Sequence, residues 1–76
     1  MTLRRHIAVA PVSGGWAIAF DAGVEPMMFL SGACAEAQAR ALAHRLAQSG
    51  TEVELTVLDR SRALVAQTRY LAGGLE

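Results

Sequence analysis

Residues Ala33–Gly50 read ACAEAQARALAHRLAQSG, and the period of that stretch decides the fold. At about 3.6 residues per turn, Ala35, Ala39, Leu42, Ala43 and Leu46 fall on one stripe. Glu36, Arg40, His44 and Gln48 fall on the opposite side, so the segment reads as an amphipathic helix. Gly50 stands where a helix ends on a residue tolerant of a left-handed backbone. The alanines of the apolar stripe let the helix axis lie close to a flat partner, which is a sheet. At the other end, a capping box would place Ser or Thr three residues before Glu36. Ala33 stands there, so the cap falls to Ser31 or Gly32.

Upstream of the helix the period changes to two. Ile7 and Val9 alternate with His6, Ala8 and Ala10 over Arg5–Val12, a strand that ends near Pro11. Ser13-Gly14-Gly15 supplies a tight turn, and Trp16, Ile18 and Phe20 then alternate with Ala17, Ala19 and Asp21. After a second turn at Ala22-Gly23 comes a short strand, Met27–Leu30, of which either Met28 or Phe29 faces inward. Downstream, Glu52–Leu58 alternates most cleanly, with Val53, Leu55 and Val57 on one side and Glu52, Glu54 and Thr56 on the other. Asp59–Arg62 is a turn. The segment Ala63–Tyr70 is open: a strand paired with Glu52–Leu58, favoured by the short connection, or a helix capped by Ser61 and closed by Gly73, favoured by propensity.

The chain has 76 residues, enough for one small domain with a thin margin of stability. At 53% hydrophobic and 18% charged it is too apolar for a disordered chain. Its single cysteine cannot form an internal disulfide. The run Ile7–Val12 after Arg4-Arg5 is short and carries Pro11, so it reads as a strand rather than a secretory signal. No stretch is long enough to cross a bilayer, and a free thiol without a signal points to the cytoplasm. The expected domain spans residues 1–74. Leu75-Glu76 resembles a vector junction, without which the chain is slightly basic.

Several short motifs carry a resemblance: Val9-Ala10-Pro11, Gly14-Gly15-Trp16-Ala17-Ile18, Glu36-Ala37 in an alanine-rich helix ending at Gly50, and Glu54-Leu55 through Tyr70. Over roughly residues 5 to 70 the chain resembles the bacterial family catalogued as domain of unknown function twenty-one eighty-eight. The resemblance implies a three-stranded meander, a helix and a closing hairpin, with no assigned activity or catalytic residues. This sequence departs from that pattern at the helix cap, where Ala33 replaces Thr or Ser. It departs again before the last strand, where Ser61-Arg62 replaces an Asp-Gly turn.

No constellation of residues supports an enzyme or a cofactor. Cys34 lies near the helix start, where the dipole favours a thiolate, but His44 is about 15 Å further along the same helix. His6 and His44 have no third ligand at metal spacing, and Gly14-Gly15 lacks the helix and the Lys of a phosphate loop. Trp16 reads as a core anchor rather than a stacking platform. Arg4, Arg5, Arg60, Arg62 and Arg69 concentrate in the end segments, and together would suit nucleic-acid phosphates, against a net charge of zero.

The sheet face away from the helix carries Ala8, Ala10, Ala17 and Ala19, where an exposed face ordinarily carries charged or hydroxyl residues. The expectation is an α+β domain: an antiparallel β-meander, one amphipathic helix packed on one sheet face, then a strand and a final strand or short helix. Its expected role is that of a cytoplasmic interaction or structural module that forms a homo-oligomer through the alanine face. A nucleic-acid-binding accessory domain using the arginines is the alternative, with no membrane and no cofactor involved.

Overall fold

The computed structural model describes residues 3–21 and 25–72. The expected turn at Ala22-Gly23, Gly73 and the Leu75-Glu76 junction lie outside the described residues. The elements are β1 (Leu3–Val12), β2 (Gly15–Ala19), β3 (Met27–Phe29), α1 (Gly32–Gln48), β4 (Thr51–Leu58) and β5 (Leu64–Tyr70). They form one five-stranded sheet in the order β3-β2-β1-β4-β5, with α1 packed on one face. The architecture is α+β. β1, β2 and β3 make the antiparallel meander, β4 returns parallel to β1, and β5 closes as an antiparallel hairpin on β4.

The segment left open between strand and helix is therefore a strand. Its β4 partner satisfies a full row of backbone groups, which outweighs the modest helix propensity of Ala63–Tyr70. The turn that makes this possible is built around Asp59. Its carboxylate accepts from the Ser61 amide (2.8 Å), the Ser61 hydroxyl (2.7 Å) and the Ala63 amide (3.0 Å). Arg62 takes φ 69°, the left-handed conformation that a glycine would adopt freely. Its guanidinium donates to the Pro11 carbonyl at 2.9 Å, an anchor that glycine could not supply. So the Ser61-Arg62 departure does not prevent the hairpin.

These bonds, the Ser61 hydroxyl first, hold the Asp59 carboxyl below the ordinary aspartate value of 3.8. A depressed folded-state value means that the turn's contribution is complete above 3.8 and is lost as pH falls through the lower, folded value. In the Asp59→Asn variant, acid melting curves should flatten below that point relative to the parent. Unchanged acid dependence would show that the carboxylate does not hold the turn.

The helix face of the sheet forms the core. Ile7, Val9, Ile18, Val53 and Leu55 are fully buried there. Above them lie Ala35, Ala39, Ala43 and Ala47 of α1, none more than 1% exposed. Ala47 thus joins the stripe, while Leu42 and Leu46 pack from its flank and stay half-buried. Of the two candidates on β3, Phe29 packs inward opposite Trp16 and Met28 points away. Ser31 is the helix cap: its hydroxyl accepts from the Cys34 amide at 3.2 Å. Gly50, just past the helix end, has φ 102°. Gly32 is required by proximity, since a Cβ there would lie 2.9 Å from the Trp16 ring. No helix among the described residues is long and apolar enough to cross a membrane.

Candidate interaction surface

Alternation on the strands puts one set of side chains under α1 and the other on the opposite face, where no described element lies. Register then assembles that open face. Ala8 pairs with Ala19 and Ala10 with Ala17, so the four expected alanines form one contiguous block across β1 and β2. Ala17 lies between Ala10 and Met28 and is 6% exposed, yet it stands apart from the core cluster under the helix. Ala8 and Ala10 are half-buried and Ala19 is exposed. Alternation adds Val12 on β1, and register adds Met28 beside Ala17 and the Leu58–Leu64 pair on the far strands. This end of the open face is apolar.

The other end is polar. Arg4 and Arg69 both approach the Glu52 carboxylate at 3.7 Å, and the Gln67 amide donates to Glu54 at 2.8 Å. A His6 ring nitrogen meets the Thr56 hydroxyl at 3.1 Å, and the His6 backbone amide donates to the Asp21 carboxylate at 3.3 Å. Partnered charges of this kind contribute little to stability, but they give the face a direction.

The five arginines do not form one cluster. Arg4 and Arg5 begin β1, and Arg69 lies beside them near the end of β5. Arg60 and Arg62 belong to the β4–β5 turn at the opposite end, about 20 Å along β1. There Arg60 stacks over the Trp16 ring at 5.5 Å, a cation–π contact that links the turn to the β2 aromatic. Trp16 therefore serves the core with one part and the turn with another.

On the helix side, Arg40 donates to Glu36 at 2.8 and 3.0 Å and reaches Thr68 and the Tyr70 hydroxyl at 3.4 and 3.5 Å. Glu36 first, and Tyr70 after it, hold this guanidinium more firmly protonated than an ordinary arginine. It ties α1 to the outermost strand. Cys34 is exposed in the first turn of α1, and His44 is exposed near its other end. Among the described residues no group of three His, Cys, Asp or Glu side chains is placed to hold a metal ion.

Sequence reasoning missed the Arg40–Tyr70 tie and the Trp16–Arg60 stack, because both join residues far apart in the chain. The apolar extension of the alanine block by Met28, Leu58 and Leu64 was also missed, since it appears only once strand order is known. No family model, curated protein or solved structure matches the chain.

Proposed function

We propose that this domain is a small interaction or structural module that self-associates through the open face of its sheet, without catalytic activity. The observation that carries the reading is the alanine block at Ala8, Ala10, Ala17 and Ala19, over which no described element packs and which Met28, Leu58 and Leu64 continue. Small side chains let a second sheet approach closely, and the polar end formed by Arg4, Glu52 and Arg69 limits how the two can align. Association would also relieve the thin core of so short a chain. The cytoplasm fits this reading, as does the motif resemblance to a bacterial family of unknown function.

Light scattering after size-exclusion chromatography, run across a dilution series, tests it. The expected result is an assembly whose mass falls by half in the Ala19→Arg variant. Ala19 is already exposed, so the substitution should leave the fold within about 0.5 kcal/mol of the parent. A dimer indifferent to Ala19→Arg and Ala17→Arg would sink the face reading, and so would a monomer at every concentration.

A further inference from the structure

The two edges of the sheet are not alike. The β3 edge is three residues long and follows directly on Pro26, so it offers almost no ladder to a newcomer. The β5 edge is seven residues long and free of proline, with one charged side chain, Arg69, and a register irregularity near its start, and no described strand lies beside it. Three exposed apolar side chains mark that edge: Leu64 at 56%, Val65 at 58% and, one residue past the strand, Leu71 at 49%. Val65 and Leu71 stand at equal distances, three residues each way, from Thr68.

We propose that β5 pairs with β5 of a second copy of this chain, antiparallel about a two-fold axis at Thr68, to make a continuous ten-stranded sheet. The register follows from the side chains. A two-fold axis through an antiparallel edge pair stands perpendicular to the sheet, so residues of one face meet residues of the same face. Centred on Thr68, the pairing sets Val65 against Leu71 of the second copy. It sets Ala66 against Tyr70, a small side chain against a large one, and Thr68 against itself. Gln67 faces Arg69 of the second copy. Its amide nitrogen already donates to Glu54, which leaves its carbonyl free to accept from that guanidinium.

No like charges stand directly opposite each other in this register. A register centred on Gln67 would instead put Val65 against Arg69, which matches the exposed apolar pair poorly. This agreement of the edge with its own reverse favours a second copy over an unrelated extended peptide. The short β3 edge stops the addition at two copies, so the product is a closed dimer rather than a fibre. Edge pairing uses none of the alanine face and does not rest on the face reading.

Cysteine cross-linking in a Cys34→Ser background tests the axis. In Thr68→Cys the two thiols would face each other across a single strand spacing and should form a disulfide-linked dimer under mild oxidation. Ala66→Cys lies on the same face, but its two copies would stand about 14 Å apart and should stay unlinked. Strongest linking through Gln67→Cys, equal linking at all three positions, or none, would overturn the proposal. Linking through Thr68→Cys should survive Ala19→Arg, which separates this edge from the open face. As a second measurement, the double variant Val65→Lys and Leu71→Lys places like charges opposite each other at exposed positions and should halve the native mass. An unchanged mass would overturn the proposal as well.

Discussion

Replacing Leu55 by alanine is expected to remove about 3 kcal/mol or more of folding stability and to lower the melting midpoint by about 12–24 °C. The position explains the size. Leu55 is fully buried at the centre of β4, between Ile7 on β1 and Thr68 on β5. Truncating a buried leucine costs the lost transfer free energy plus a cavity term, which depends on how far the surroundings can collapse. Here they can collapse very little. The side chains above Leu55 are the alanines of α1, whose single methyl groups cannot reach into the void. Its strand neighbours on the same face, Val53 and Val57, are β-branched and stiff. A chain of this length has about 4–11 kcal/mol of stability in all, so the variant should lose between about a quarter and three quarters of it. Urea denaturation followed by circular dichroism would measure the loss. A loss under about 1 kcal/mol would mean that the core is not centred on β4.

The elements were legible because period alone separates them. Alternation at Ile7/Val9, Trp16/Ile18 and Val53/Leu55/Val57 leaves no helical reading, and the spacing Ala35, Ala39, Ala43 leaves no strand reading. The precise angle of the helix was less legible. Residue hydrophobicity draws the stripe towards Leu42 and Leu46, whereas close approach to a sheet selects the smallest side chains, which turns the buried line onto Ala47. Met27-Met28 hides the parity of β3, and only the Trp16–Phe29 register restores it. Ala63–Tyr70 could not be read alone because its state depends on β4, a partner that local propensity does not contain.

The open face was partly visible. Ala8, Ala10, Ala17 and Ala19 follow from alternation along β1 and β2. That Leu58 and Leu64 join them depends on β4 pairing with β1 rather than with β3, and strand order is not encoded in any local window. The arginines show the same limit in reverse. Closeness in sequence to the chain ends suggested one basic patch, but β1 runs ten residues between Leu3 and Val12 and carries its two ends apart. Arg60 and Arg62 consequently serve the turn beside Trp16 and Pro11, while Arg4 and Arg69 share Glu52.

Enlarging the helix's contact line should be nearly as costly as emptying the sheet beneath it. Ala39→Leu is expected to destabilise the domain by about 3 kcal/mol, at the upper end of the range for overpacked cores. Ala39 is at the middle of α1 and is 0% exposed, with Ala35 and Ala43 one turn away on either side. A leucine there must either lift the helix or push aside the side chains below, and those are already closely packed. Alanine and leucine differ little in helix propensity, so the comparison isolates packing from local preference. Ala37→Leu on the exposed side of α1 supplies the control and should stay within about 0.5 kcal/mol of the parent. A lifted helix would also pull Arg40 away from Thr68 and Tyr70, whose contacts at 3.4 and 3.5 Å have little slack. The Tyr70 ring resonances should therefore shift in Ala39→Leu and stay put in Ala37→Leu. If Ala39→Leu keeps full stability, the alanine stripe does not set the helix's height, and the distance between helix and sheet must be held by the flanking pair Leu42 and Leu46 instead.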